Sequence, residues 1–230
     1  MKKINLLTIA ILFATAMSSF AQTSKGTLFV GGGLGFTSSS GKFTTTLGGT
    51  TIESDGVKST TFSIVPGVGY FVADKLAVGL DLSVNSSSVQ VPDNNDPDDY
   101  EKTSGTSFGF TPYVRKYWMV GDNFGFTGTF GAGVAFGSSK IEEKNGNTTV
   151  TNDGPKTTDL EIGITPGIVF FPTSKVGLEA NFGFVGFSST TSKTDLGNGN
   201  ESKFTNSTFG LSANSIRPSF SLGFRYYLTK

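Results

Sequence analysis

The sequence contains no cysteine and no histidine, and it has a single tryptophan among its 230 residues. Without cysteine, the chain can form neither disulfides nor thiolate metal sites. Without histidine, it lacks the commonest general base and metal ligand. A lipase, acyltransferase or protease would be expected to place a histidine beside its nucleophile or attacking water. We therefore expect no enzymatic activity and no cofactor.

Long apolar runs and excess charge are also missing. The only long apolar run is Ile4 to Ala16, which is too short to cross a bilayer as a helix. Lysine and arginine together number 18, as do aspartate and glutamate. Without Lys2 and Lys3 the rest of the chain has a net charge of about −2, so we expect no nucleic-acid partner.

The first 21 residues have the pattern of a secretory signal peptide. Lys2 and Lys3 precede the apolar run, and Ser19-Phe20-Ala21 follows it as a small-x-small cleavage site. The alternative is a retained anchor. A lipid anchor is not expected, because no cysteine follows the cleavage site. The sequence thus predicts a signal peptide over 1–21 and a single exported domain over 22–230.

A repeat organises this domain. Proline lies in four similar segments about fifty residues apart, at Pro66, Pro112, Pro166 and Pro218, and each segment runs into aromatic residues. Four other alternating segments lie between them. An internal repeat of one supersecondary unit predicts the architecture of the whole. Here the unit is a hairpin, so the sequence predicts an all-β fold of eight antiparallel strands.

Alternation within the strands predicts which face of the sheet contacts lipid and which faces the interior of the barrel. One face carries large apolar residues, as in Leu76, Val78, Leu80, Leu82 and Val84, while the other carries glycine, alanine or small polar residues. The second face has too few charges for the wet face of a soluble sandwich. Large residues facing lipid and small ones filling a narrow lumen explain the pattern, which predicts a transmembrane up-and-down β-barrel. A soluble barrel that binds an apolar ligand, as lipocalins do, is the alternative and would place the large residues inward.

The connections alternate in length. Short links are predicted at 73–75, 121–123 and 172–175, and long polar loops at about 38–59, 86–105, 138–157 and 188–207. This is the pattern of periplasmic turns and extracellular loops. Aromatic residues precede the predicted periplasmic ends and are expected to form a girdle at the membrane interface; they are Tyr70, Phe71, Tyr117, Trp118, Phe170, Phe171, Tyr226 and Tyr227. Because proline has no backbone N–H to donate to a neighbouring strand, we expect a bulge or local curvature at each of the four prolines.

These features resemble the small outer-membrane β-barrel proteins of Gram-negative bacteria, of the OmpX/OmpA-barrel "porin family" type found widely in Bacteroidetes. The resemblance covers about 26–228 and rests on the signal peptide, the eight alternating segments and the aromatic final strand. The family usually ends in an aromatic residue read by the assembly machinery, whereas this chain adds Thr229 and Lys230 after its last alternating residues. The resemblance implies an outer-membrane location, contact with outer-membrane lipid and insertion by the barrel-assembly machinery.

Charged residues on the predicted lumen face form the candidate site. By alternation the inward charges are Asp81, Arg115, Glu161, Glu179, Arg217 and Arg225. Counted from the strand ends, Glu161 and Arg217 lie toward the outer side and the other four lie nearer the periplasm. Buried charges need partners, and arginine pairs well with carboxylates. Three interpretations stay open: a salt-bridged plug, a gated ion path, and catalysis.

One loop has calcium-type ligands. Residues 92–101 concentrate aspartate, asparagine and glutamate oxygens, but without the spacing of an EF-hand. The alternative is a solvated acidic loop. Taken together, the sequence predicts a non-enzymatic outer-membrane barrel with a plugged polar lumen and long extracellular loops, serving envelope structure or contact with a surface ligand. A narrow channel for ions or small solutes is the alternative.

Overall fold

The computed structural model describes residues 22–93, 99–212 and 221–228. The predicted signal peptide lies outside these residues. In the described part of the chain, no helix is long and apolar enough to cross a membrane.

The described residues form ten strand segments. They are β1 (Leu28–Leu47), β2 (Thr50–Ala73), β3 (Leu76–Pro92), β4 (Tyr100–Met119), β5 (Phe124–Asn145), β6 (Thr148–Thr173), β7 (Val176–Asn181), β8 (Phe184–Gly197), β9 (Asn200–Ser212) and β10 (Ser221–Leu228). Segments β7 and β8 are two parts of the seventh barrel strand, and β9 and β10 belong to the eighth. The predicted eight-stranded antiparallel barrel is confirmed.

Antiparallel pairing between sequence neighbours runs around the molecule, and β10 closes the ring by pairing with β1 and β7. Closure over Leu28–Gly33 of β1 removes, at this end of the barrel, the exposed sheet edges that a membrane would not tolerate. The predicted short links are turns: Asp74-Lys75 joins β2 to β3, residues 120–123 join β4 to β5, and Ser174-Lys175 joins β6 to β7. We call this the short-turn end and the opposite one the hairpin end.

The large apolar side chains point outward, as alternation predicts. On β3, Val78, Leu80 and Val84 are between 38% and 44% exposed, whereas Ala77, on the opposite face of the strand, is fully buried. Phe126, Phe130 and Phe136 on β5 are about half exposed on the outer surface. These large residues form an apolar belt on the outside, whereas a lipocalin-like barrel would hold them inside, so the lipocalin alternative is excluded.

The prediction of long polar loops is wrong, because the described residues in these ranges form strands that extend beyond the apolar belt. Nearly all of the described residues in those ranges are strand, and the three hairpin-end turns that the structure describes in full are two residues long: Gly48-Gly49, Gly146-Asn147 and Asn198-Gly199. Positive φ values at five of these six residues explain their glycine and asparagine. Serine, threonine and asparagine runs lack apolar alternation because both faces of these hairpins are wet, so the sequence pattern resembles that of a loop.

Of the four repeated prolines, Pro66, Pro112 and Pro166 are described, and all three interrupt strand pairing. The β2–β3 ladder lacks partners between Ile64 and Gly67, around Pro66, and the β4–β5 ladder lacks them between Phe110 and Tyr113, around Pro112. Neither gap shifts the register, so the expected bulge is absent there and the missing N–H donor simply leaves a gap. Pro218 lies outside the described residues.

The third proline faces a true bulge. Next to Pro166, strand β6 changes partner from β8 to β7, and Phe182-Gly183 interrupts the seventh strand with Gly183 at φ +74°. The extra residue inverts the alternation that follows. Phe182 points outward as expected, but Phe184, expected on the lipid face, lines the lumen.

Candidate functional site

A layer of aromatic rings fills the lumen at the short-turn end. Phe29, Phe71, Tyr117, Phe171 and Tyr227, contributed by five different strands, are 0–1% exposed. Ring centroids of neighbouring pairs lie 5.2–5.5 Å apart, the spacing of favourable edge-to-face and tilted contacts. We call these five residues the aromatic layer.

The aromatic layer corrects the predicted girdle. Tyr70, Trp118, Phe170 and Tyr226 do face outward near the short-turn end, with 36–53% of their surface exposed. Their sequence neighbours Phe71, Tyr117, Phe171 and Tyr227 face the lumen instead. Successive residues of a strand point to opposite faces, so both members of an aromatic pair cannot belong to one belt.

Glycines make room for these rings. A Cβ on Gly69 would overlap the Phe29 ring, and one on Gly177 would come within 2.8 Å of the Tyr227 ring. Beneath the layer, the segment before β1 closes the end: Gln22 is 1% exposed and its Nε2 donates to the carbonyl of Thr173, 2.9 Å away. Both features place the rings in a closed, close-packed section of the barrel.

A buried ion network lies directly above the aromatic layer. Glu179 Oε2 accepts a hydrogen bond from Arg115 Nη1 at 2.6 Å and from Arg225 Nε at 2.8 Å. All three side chains are 6% exposed or less. Arg225 also donates to the Tyr113 hydroxyl at 3.1 Å, and its Nη2 lies 3.8 Å from Asp81 Oδ1. Two arginines and two carboxylates therefore neutralise one another across the lumen.

A cavity of about 150 Å³ opens above this network toward the hairpin end. Asp81, Arg115 and Glu161 supply its charges, Thr111, Thr129 and Thr165 supply hydroxyls, and Phe184 forms part of the wall. Among the described residues Glu161 forms no ion pair, and its expected neighbour Arg217 lies outside them. The ion network and the wall of this cavity together thus carry three carboxylates and two arginines, one carboxylate in excess.

Four of the six predicted lumen charges, Asp81, Arg115, Glu179 and Arg225, come together in this network. Sequence reasoning missed two contributors, Phe29 and Tyr113. Both lie at inward positions of strands with clear period-two alternation, so the sequence pattern could have identified them.

In the calcium-type loop the structure describes Asp93, Asp99 and Glu101 but not 94–98, and no group of three or more acidic side chains suited to a metal occurs among the described residues.

The family described as "Outer membrane protein beta-barrel domain" matches residues 7–214 of this sequence. The chain belongs to this outer-membrane β-barrel family. An outer-membrane location follows from this membership and from the outward apolar belt. No curated protein matches the chain.

Solved structures of other barrels are similar to it. The outer membrane protein OprG from Pseudomonas aeruginosa matches with 16% identity and a TM-score of 0.51, covering 92% of this chain and all of OprG. The outer membrane protease OmpT from Escherichia coli matches with 11% identity and a TM-score of 0.44, covering 87% of this chain and 93% of OmpT. Ail, the attachment invasion locus protein of Yersinia pestis, matches with 12% identity and a TM-score of 0.33, covering 89% of this chain and 99% of Ail. The first shows a shared fold, and the other two are too dissimilar to bear on function.

Proposed function

We propose that this protein is a non-enzymatic, non-conducting outer-membrane barrel whose work is done by its polar hairpins outside the membrane. The observation that carries the proposal is the fully buried aromatic layer beneath the Arg115–Glu179–Arg225 network. Together they occupy two adjacent levels of the lumen. An eight-stranded barrel is just wide enough for side chains to fill, so this section leaves no room for a solute path.

The charges of the network favour a structural role. Each buried arginine has a carboxylate partner, and Glu179 is shared between two of them. The hydrogen bonds of Glu179 to both arginines rigidify the strands that meet there, β4, β7 and β10, whereas Asp81 Oδ1 at the edge of the network is buried without a hydrogen bond among the described residues. No histidine is available to act as a base beside it, which supports the absence of catalysis.

The hairpins are the part of the molecule available for contact. Strands of 20–26 residues exceed the 9–11 residues that a tilted strand needs to cross a bilayer, so roughly half of each long strand lies beyond the apolar belt. If the signal peptide exports the chain, the short-turn end is periplasmic and the hairpins are extracellular. In this proposal the barrel-assembly machinery inserts the chain, and the hairpins meet surface ligands or neighbouring envelope components.

A narrow channel is the second candidate, and the cavity favours it. Glu161, which has no ion pair in the described part of the chain, and the hydroxyls around it would suit a hydrated cation passing down from the hairpin end. Such a path must still cross the aromatic layer. A channel therefore requires these rings to move, whereas the plug requires them to stay.

Planar-bilayer recording of purified protein separates the two. We expect negligible conductance from the wild type and discrete openings from the double variant Phe71→Ala, Tyr227→Ala, because it removes two rings of the aromatic layer. The matched control is Tyr70→Ala, Tyr226→Ala, which removes the outward-facing neighbours of the same two residues. Large, steady currents from the wild type would overturn the plug, as would a control variant that conducts like the inner one.

A further inference from the structure

Three neighbouring strand segments, β6, β8 and β9, carry lysine at directly paired positions on the outer surface. Lys156 on β6 pairs with Lys193 on β8, and Lys193 pairs with Lys203 on β9. All three are exposed, and alternation places them on the face that carries the apolar belt. We call Lys156, Lys193 and Lys203 the lysine row.

The three lysine side chains repel one another in the isolated protein. Directly opposed side chains in an antiparallel sheet lie about 5 Å apart at Cβ, where like charges destabilise the pair. Lys193 lies 3.4 Å from Glu201, but Lys156 and Lys203 form no ion pair among the described residues. The carboxylates Asp195 and Glu201 lie one step farther along their strands, away from the apolar belt. The positive charge is therefore nearest the membrane.

The rows of paired residues between the lysine row and the membrane become more apolar step by step. Toward the membrane the next row is Thr158, Thr191 and Thr205, then Leu160, Ser189 and Ser207, and then the fully apolar row Ile162, Phe187 and Phe209. With a rise of about 3.3 Å per residue and a strand tilt of about 40°, the lysine row lies roughly 10–15 Å beyond the last apolar side chains of β6 and β8. Phospholipid headgroups extend only about 5–8 Å from the hydrocarbon core, so the row is at the height of larger, sugar-bearing headgroups.

A groove of about 320 Å³ begins beside Lys156 and extends across β5 and β4 to β3. Ser104, Thr106 and Ser138 give it hydroxyl groups, and Lys140 adds a fourth cation, with Asp153 and Lys156 at its rim. Hydroxyl donors next to ammonium groups suit sugar and phosphate oxygens together. The groove and the lysine row form one continuous surface, because Lys156 pairs with Ser138 on β5 and Ser138 pairs with Thr106 on β4.

We propose that the lysine row and this groove bind the phosphorylated headgroup of a glycolipid in the outer leaflet. Phosphate neutralises the opposed lysines, and the serine and threonine hydroxyls bind the adjoining sugars. The inference requires the hairpin end to face outward. It is independent of whether the lumen conducts.

The test uses the full protein refolded in phosphatidylcholine vesicles, with or without rough-type lipopolysaccharide that carries a phosphorylated inner core. The readout is the temperature at which half of the barrel loses its heat-modifiable gel mobility. We expect the lipopolysaccharide to raise this temperature for the wild type by several degrees, and the triple variant Lys156→Gln, Lys193→Gln, Lys203→Gln to lose most of the rise. Triple replacement by arginine should retain it.

The control is Lys42→Gln, Lys58→Gln, Lys102→Gln, which removes the same charge from β1, β2 and β4 at the same end of the barrel. It should keep the wild-type response. The proposal is overturned if the glutamine variant of the lysine row responds like the wild type, or if the control loses the response equally. It is also overturned if chemically dephosphorylated lipopolysaccharide acts as well, or if inorganic phosphate alone reproduces the rise.

Discussion

At the residue scale, the two lumen glutamates Glu161 and Glu179 illustrate how environment decides the importance of a charge. Both are inward-facing carboxylates on neighbouring barrel strands. Glu179 is 3% exposed and shared by two arginines, whereas Glu161 borders the cavity and has no ion pair among the described residues. Their sequence contexts are alike, Leu-Glu-Ile and Leu-Glu-Ala. The difference comes from which strands meet across the lumen, which alternation alone does not give.

The first prediction follows from this contrast. Glu179→Gln leaves Arg115 and Arg225 buried without their shared anion, and breaking a buried pair in this way costs about 3–5 kcal/mol. Glu161→Gln, the same change on the wall of the cavity, should alter the free energy of unfolding by less than about 1 kcal/mol. Urea titration in vesicles, followed by the fluorescence of Trp118, measures both. Equal losses in the two variants would mean that Glu161 has a partner of similar strength.

At the element scale, period-two alternation predicted most of the fold because each strand has one face in lipid and one in a narrow lumen. It gave the strand faces, the short turns and four members of the ion network. The prediction failed at two places where a strand departs from this regular alternation between a lipid face and a lumen face. At Gly183 an extra residue inverts the faces, and nothing distinguishes this glycine from the many others in the sequence. In the hairpins both faces are wet, so strands have no apolar period.

The second prediction tests the outer face of a single strand. Leu80 is the middle of the five outward apolar residues of β3, and Leu80→Arg should cost about 2–4 kcal/mol near the bilayer midplane. Ser88→Arg changes a residue on the same face of the same strand, eight positions toward the hairpin end, and should be nearly neutral. Folding yield and urea stability in vesicles distinguish them. Comparable defects in both variants would place β3 differently in the membrane.

At the scale of the whole molecule, the barrel consists of two zones with different solvents. Near the short turns, lipid outside and packed side chains inside hold the strands. Near the hairpin end, the exposed side chains include large apolar ones such as Phe43, Leu47 and Ile52, which are 59–70% exposed. The hairpin end therefore contributes little burial, and stability should reside in the lipid zone.

The last prediction separates the two zones by deletion. Removing 43–47 and 50–54 while keeping Gly48-Gly49 joins Lys42 to Asp55, already Cα partners, through the same two-residue turn. Because the lost residues bury little surface, we expect normal insertion and a change in unfolding free energy of no more than about 1 kcal/mol. Removing 30–34 and 64–68, also five paired residues per strand, takes out part of the apolar belt and the β1–β10 closure. That variant should not insert into vesicles, and a heat-modifiability gel reports both outcomes. If the hairpin deletion also failed to insert, the polar zone would be part of the folding unit, and the hairpins could not be treated as surfaces added to a self-sufficient barrel.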